Sequence, residues 1–377
     1  MRRIKIGVIG CGMISEVYLQ NCTQVFHHVL EVVAVADLVP ELAAKRAKEF
    51  NVPTSCSVEE LLANPEIEIV LNLTAPVAHT IVNEQILNAG KHVYTEKPFA
   101  LTREDADKIL NLAETKGLLV GCAPDTFLGA SMQTCIKLIE DGEIGTPFAA
   151  NASIILGTPA NGNHPNVQNF LKLGGDPIMD MGPYYLTALV AMLGPIKRVT
   201  GSAQKLYEEV TITNEDSPRF GETFPVEAPT NVAATLDFDN GVVANLQATK
   251  ESFGYKPKVE IFGTKGNLVV PDPNFFGPFP EFPVVVDVEI QYPNFETKTI
   301  PLTHGFCENS RGIGVADMAY ALQSGRKHRA SGQLAKHILD VSLGIFEASE
   351  KEKHIHIAST VDRPAALPVG LKDNQLD

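Results

Sequence analysis

Strand-like apolar runs recur through the first third of the chain at Ile4 to Ile9, Leu30 to Ala36, Ile67 to Leu73, His92 to Thr95 and Leu118 to Gly121. Runs of this length with little alternation predict strands buried on both faces. Helix-like stretches separate them at Met13 to about Gln24, Pro40 to Phe50, His79 to Ala89 and Thr102 to about Lys116. Pro40 suits a first helical position, and Ser57-Val58-Glu59-Glu60 has the spacing of a capping box opening a further short helix. Gly90 stops the helix before it. Such alternation predicts an α/β fold with a doubly wound parallel sheet.

The pattern changes after about residue 124. A helix is expected over Met132 to Glu140, ended by Gly142 and Gly145. Longer strands follow at Pro147 to Leu156, Lys197 to Gln204, Asn231 to Phe238, Val242 to Thr249 and Lys258 to Phe262. Asp239-Asn240-Gly241 joins two of these as a hairpin turn. One helix, Pro177 to Leu193, interrupts them, and a Pro/Phe-rich loop runs from Pro271 to Pro283. Two helices, Gly314 to Ser324 and Ser331 to Lys351, close the chain. This half reads as α+β with a mostly antiparallel sheet. The expected domains are 1–124 and 125–377.

Composition narrows the function classes. The 377 residues carry 45 acidic and 31 basic side chains, a net charge of -14. Nucleic acid and anionic membrane both call for a basic surface, so neither is an expected partner. The six cysteines show no Cys-x-x-Cys or zinc-finger spacing, so no metal is expected and the thiols read as buried and reduced. No apolar run is long enough to span a bilayer, and no secretory leader is evident, so a cytoplasmic protein is expected.

Candidate chemistry begins at Gly10-Cys11-Gly12-Met13-Ile14-Ser15, between the first strand and the first helix. This is the context of a dinucleotide fingerprint. Gly10 permits the tight turn, Gly12 lets backbone approach a pyrophosphate, and the amides opening the helix at Met13 and Ile14 face it. Ser15 takes the place usually held by Gly or Ala. Asp37 ends the second strand, where an acid accepts hydrogen bonds from the adenosine ribose. It would repel a 2′-phosphate, and Leu38 and Val39 supply no Arg beside it, which favours NAD over NADP. Thr95-Glu96-Lys97-Pro98 ends a later strand of the same domain. Taken alone, Lys97 reads equally as a site residue or a surface one.

Together, the N-terminal G-x-G-x-x-S, the Glu96-Lys97-Pro98 stretch and Gly174-Gly175-Asp176-Pro177-Ile178-Met179-Asp180-Met181-Gly182 resemble the glucose-fructose oxidoreductase / inositol dehydrogenase (Gfo/Idh/MocA) family over essentially the whole chain. The resemblance implies a Rossmann domain followed by a domain on a large open sheet, and homodimers or homotetramers. It implies oxidation or reduction of sugars, polyols and their derivatives. Lys97 matches the family's catalytic-site lysine. Thr74-Ala75-Pro76 with His79 is similar to the family's loop near the nicotinamide, although His79 reads equally as an ordinary helix-start residue. Glu96 is carried with Lys97 as a cofactor-side residue. His164 and Asn169 fall in a loop that often lines the family's sugar site.

Two departures stand out. Asp176 replaces the third glycine of the family's run; before Pro177 it suits a helix cap, and it could also place a carboxylate at the substrate. Tyr184 stands four residues after Asp180, where many members carry His. Residues so spaced share a helix face. Tyr184 is then the expected general acid/base, Lys97 the group that stabilises charge on the reacting oxygen, and Asp180 a ligand for a second hydroxyl or a positioner of Lys97. The roles of Tyr184 and Lys97 can be exchanged. The resemblance also admits an NAD-dependent glycosidase or a non-catalytic dinucleotide-binding regulator.

Overall fold

The computed structural model describes residues 2–162, 167–172, 174–278, 287–371 and 374–377, and every count below is of these residues. The end of the Pro/Phe-rich loop lies outside them. The chain forms two compact units, one of residues 1–130, 303–336 and 364–377, the other of 131–302 and 337–363. The division therefore differs from a single boundary at 124. The segment around the helix Ile313–Ser324 and the last residues pack with the N-terminal unit.

In the first unit, β1 (Ile4–Ile9), β2 (Leu30–Ala36), β3 (Thr54–Cys56), β4 (Ile69–Asn72), β5 (His92–Thr95) and β6 (Val120–Cys122) form a parallel sheet in the order β3-β2-β1-β4-β5-β6. Helices α1 (Ser15–Gln20), α2 (Pro40–Glu49), α3 (Val58–Ala63), α4 (His79–Asn88) and α5 (Arg103–Lys116) connect them. This is the Rossmann arrangement, with the strand order reversing at β1. Ile6, Leu30, Ile69, Leu71 and Tyr94 are among its fully buried side chains. The Ser57 capping box is present at α3, and Thr102 caps α5. Two details depart from the sequence pattern. The first helix is regular only to Gln20 and then widens over Asn21–Val25, where the Phe26 amide donates to the Asn21 carbonyl at 2.8 Å. Strand β3, which has no apolar run, is a largely exposed edge.

Strand register aligns the carboxyl ends. Ile9 pairs with Ala36 and Asn72, Asn72 with Thr95, and Thr95 with Cys122. The residues that follow each strand therefore share one edge of the sheet. That edge carries the glycine turn, Asp37, Thr74 and Glu96-Lys97.

The second unit begins with α6 (Ala130–Glu140) and is built on a nine-stranded sheet. Its strands are β7 (Pro147–Gly157), β8 (Ile196–Gln204), β11 (Asn231–Phe238), β12 (Val243–Ser252), β13 (Lys258–Gly263), β14 (Asn267–Val270), β15 (Glu289–Gln291), β16 (Thr297–Thr299) and β17 (Ile355–His356). Strands β9 (Glu209–Thr211) and β10 (Thr223–Pro225) pair separately. The order is β16-β15-β14-β13-β7-β12-β11-β8-β17, antiparallel except for β7 with β12. Alternate residues are buried: Val232, Ala234 and Leu236 on β11, and Ala244, Leu246 and Ala248 on β12. Helix α7 (Pro177–Asp180) packs on β11 and β12, and α8 (Gly182–Leu193) on β7.

The single helix expected over Pro177 to Leu193 is thus two. Pro183 lacks an amide hydrogen, and its ring would meet the carbonyl of Met179 in a continuous helix. The chain breaks at Met181, with φ -105° and ψ -27°, and restarts with Pro183 in its first turn.

Candidate functional site

The glycine turn shows why each glycine is where it is. Gly10 has φ of 99°, and a Cβ there would lie 2.6 Å from the Leu73 carbonyl. Only glycine fits without strain. At Gly12 a Cβ would meet nothing within 4 Å, and Gly12, Met13 and Ile14 are exposed. Backbone is open to a ligand there. Ser15 is buried and donates from its hydroxyl to the Gly12 carbonyl at 2.6 Å, bracing the turn. Asp37 accepts from the amides of Cys11 at 2.7 Å and Val39 at 2.8 Å, which fixes its carboxylate beside the turn. Burial and the Asp37 charge push the Cys11 thiol up to about 12, so it stays protonated at neutral pH.

Arg46 was not singled out by sequence. From α2 its Nη2 donates to the Gly12 carbonyl at 3.3 Å, while Nη1 meets Glu49 at 2.7 Å and Glu16 at 3.0 Å. Two carboxylates therefore claim the only guanidinium recorded at this turn among the described residues. An open backbone between strand and helix, with a fixed carboxylate at the next strand end, suits a pyrophosphate and an adenosine ribose.

Further along the same edge, Asn72 is fully buried and organises the loop after β4. Its Oδ1 accepts from the Thr74 hydroxyl at 2.6 Å, and its Nδ2 donates to Asn83 and to the His79 carbonyl. Pro76 lies exposed on that loop. The His79 ring is buried, with Nδ1 2.8 Å from the Pro98 carbonyl and Nε2 3.0 Å from the Thr74 carbonyl. Both ring nitrogens thus face backbone carbonyls, and a neutral ring, with one N–H, donates to one of them at a time between the loops after β4 and β5. Burial pushes its pKa down, against the pull of the two carbonyls.

Glu96 is buried with Oε1 accepting the Tyr18 hydroxyl at 2.7 Å and Oε2 accepting the Lys97 amide at 3.0 Å. It holds the backbone from which the half-buried Lys97 side chain springs. Asp125, three residues past β6, accepts from the amides of Gly312 at 2.9 Å and Gly314 at 3.0 Å. Burial nevertheless raises its pKa.

The second unit carries the other candidates. Asp176 caps α7: its Oδ1 accepts from Ile178 and Met179, both at 2.9 Å, and it is 3% exposed. Burial raises its pKa, opposed by the Met179 amide and by Lys250. Asp180 ends α7, and its Oδ2 meets Lys250 Nζ at 3.0 Å. Tyr184 lies buried in the first turn of α8, so the shared-face argument for Asp180 and Tyr184 does not carry over to a chain broken between them. Asn169 is exposed, and His164 lies outside the described residues.

Lys250 is the functional candidate that sequence reasoning missed. A lysine in phase with Ala244, Leu246 and Ala248 on the buried face of a strand was the available signal. A second buried polar group meets α8, although it is distant in sequence: Asp272 accepts from Tyr185 at 3.0 Å and from Tyr255.

Four of the six free cysteines are buried, Cys56 is half-buried and Cys307 is exposed. Among the described residues no helix is long and apolar enough to cross a membrane.

Comparison with known proteins agrees with this fold. Residues 4–123 match the model of an oxidoreductase family with an NAD-binding Rossmann fold, and residues 132–269 match the GFO/IDH/MocA C-terminal domain. A levoglucosan dehydrogenase of Pseudarthrobacter phenanthrenivorans is 24% identical, covering 71% of this chain and 74% of that protein. A dTDP-3,4-didehydro-2,6-dideoxy-alpha-D-glucose 3-reductase of Saccharopolyspora spinosa is 27% identical, covering 85% of this chain and 92% of that protein. Among solved structures, levoglucosan dehydrogenase in complex with NADH superposes with a TM-score of 0.81 at 19% identity, covering 95% of this chain and all of that one (100%). A Sinorhizobium meliloti structure described as a myo-inositol dehydrogenase gives 0.73 at 20% identity, over 94% of this chain and 100% of that one.

Proposed function

The chain belongs to the Gfo/Idh/MocA oxidoreductase family, and from that premise we propose that it transfers a hydride between NAD and a secondary alcohol or ketone of a sugar, polyol or related carbohydrate derivative. The observation that carries the reading is the aligned strand ends of the first unit. They put an open glycine turn, a fixed Asp37 carboxylate and Lys97 on one edge. Relatives named for sugar derivatives support the substrate class.

Bound NAD supplies the hydride acceptor, and the chain supplies orientation and proton handling. Amides at Gly12, Met13 and Ile14 bind the pyrophosphate. Asp37 accepts from the ribose hydroxyls and disfavours a 2′-phosphate, so NAD is preferred to NADP. The Thr74-to-His79 loop would hold the nicotinamide, with Thr74 and Pro76 as its contacts and His79 holding the shape of the loop. Lys97 donates to the reacting oxygen and stabilises its negative charge. Tyr184 takes the hydroxyl proton, and Asp180 accepts from a neighbouring hydroxyl. Asp176 serves by capping. The protein works in the cytoplasm as a homodimer or homotetramer.

The test is a panel of sugars and polyols, followed by the absorbance of reduced nicotinamide with NAD and NADP in parallel. Turnover with NAD and a substrate that bears a secondary alcohol supports the reading. Sugar release without net reduced nicotinamide would point to a glycosidase, and tight NAD binding with no turnover to a regulator. Where a substrate is found, Tyr184→Phe should lower kcat by about a hundredfold or more, the scale of a lost general base. Near-normal turnover in that variant would move the proton role to Lys97.

A further inference from the structure

A lysine is a poor occupant of a buried sheet face, because its ammonium loses water that only charged or strongly polar partners can replace. Lys250 stands on such a face. It is in phase with Ala244, Leu246 and Ala248 on β12, beneath α7, and its side chain is 4% exposed. Its partners all come from one stretch of chain. Nζ donates to Asp180 Oδ2 at 3.0 Å and to the Gly175 carbonyl, and it lies 4.7 Å from the centre of the Phe170 ring. One cation thus gathers the segment before the glycine pair, the turn itself and the end of α7.

The turn is tight for its own reasons. A Cβ on Gly175 would lie 1.9 Å from the Asn169 carbonyl oxygen. Asp176, on the other side of that turn, caps α7 and feels the same ammonium. Asp180 is 17% exposed, and its Oδ2 is committed to Lys250.

We propose that Lys250 is the positioning residue for Asp180: its ammonium holds the Asp180 carboxylate oriented toward a substrate hydroxyl, and locks the Gly175 turn from which α7 starts. The proposal rests on the reading that Asp180 serves a polyol or sugar substrate. It adds the group that sets the direction of that acceptor. Lys250 touches no reacting atom in this scheme and acts through Asp180.

A double-mutant cycle in the full-length protein tests it, using kcat and KM on the substrate found by the panel together with NADH affinity. Lys250→Met keeps the apolar stem and removes the charge; Lys250→Gln keeps a donor and serves if the first variant does not fold. Either should lower kcat/KM by about tenfold or more, the loss expected from an acceptor left unpaired and misaligned. In an Asp180→Asn background the same change should alter kcat/KM by less than about twofold, because its effect runs through the carboxylate. NADH affinity should hold in every variant. An equal loss with and without the Asp180 carboxylate, or no loss at all, overturns the proposal. Asp180→Asn alone tests the reading beneath: full activity in that variant removes Asp180 from the site, whatever Lys250 does. Coupling of the two residues in thermal unfolding, measured on the same four proteins, reports whether the ion pair exists even where no substrate turns over. Its absence would also overturn the proposal.

Discussion

A methyl group on Gly10 and one on Gly12 should have opposite consequences. Gly10→Ala puts a Cβ 2.6 Å from the Leu73 carbonyl at a φ of 99°. Left-handed strain alone costs about 1–3 kcal/mol, so thermal unfolding should move down clearly. Gly12→Ala meets nothing and should unfold within about 1 kcal/mol of the parent. Its methyl stands where a pyrophosphate must approach, and NADH affinity should fall about tenfold or more, or about 1.4 kcal/mol. Fluorescence titration with NADH reads this, and unchanged affinity would remove the turn from the cofactor site. Asp37→Ala should narrow the preference for NAD over NADP in the same titration; an unchanged ratio would undercut the role given to its charge.

His79 offers a pH test. Burial lowers its pKa in the fold, so the unfolded chain takes up a proton first, near the ordinary value of about 6.5. The stability it contributes is present above that pH and is lost as pH falls toward the folded pKa. The difference in unfolding midpoint between the parent and His79→Gln should therefore shrink from neutral pH toward pH ~5.5. A difference that stays level would show that the ring is not held neutral. The placement of Gly10, Asp37 and Lys97 just past strand ends was legible in the sequence because strand ends are legible. The partners of His79 were not: Pro98 and Thr74 reach it only once two loops fold over one sheet edge.

At the scale of elements, the long two-face-buried strands and the capped helices follow from pattern alone. The misses have physical reasons. Strands β3, β9, β10, β15 and β16 are three residues each and lie at a sheet edge, next to one or outside the large sheets, where no two-face apolar run is needed. The break at Met181 required weighing Pro183 above the apolar run around it. Asp176 gives the sharpest element-level test. Asp176→Ala removes both hydrogen bonds to the start of α7 and should cost about 1–2 kcal/mol by chemical denaturation. Asp176→Asn keeps a capping oxygen and should recover most of that, with KM unchanged. A raised KM at intact stability would give Asp176 to the substrate instead.

At the scale of the whole molecule, the first unit is assembled from three separated stretches of chain. A linear reading of boundaries finds the change of texture near residue 124 but not the return of residues 303–336 and 364–377. Buried charge ties the two returning stretches to each other, and His328 Nε2 lies 2.8 Å from the Val120 carbonyl at β6. Asp317 is fully buried and meets Arg326 at 2.7 Å, Arg329 at 2.5 Å and the Arg329 amide at 2.6 Å. Arg329 in turn donates to the Ala365 carbonyl at 2.9 Å. Removing one side of a buried pair leaves an uncompensated charge, so Asp317→Ala should destabilise by about 3–5 kcal/mol. Denaturant unfolding measures it, and a loss below about 1 kcal/mol would mean that solvent already serves the arginines.

On this reading a hydride passes between a carbohydrate carbon and NAD on this chain. The most direct measurement uses a panel substrate carrying deuterium on the carbinol carbon and asks where the deuterium goes. Mass spectrometry of the reduced nicotinamide should find one deuterium per molecule, with the oxidised sugar lacking it. Reduced nicotinamide without deuterium, or deuterium retained in a product of unchanged oxidation state, would contradict the account.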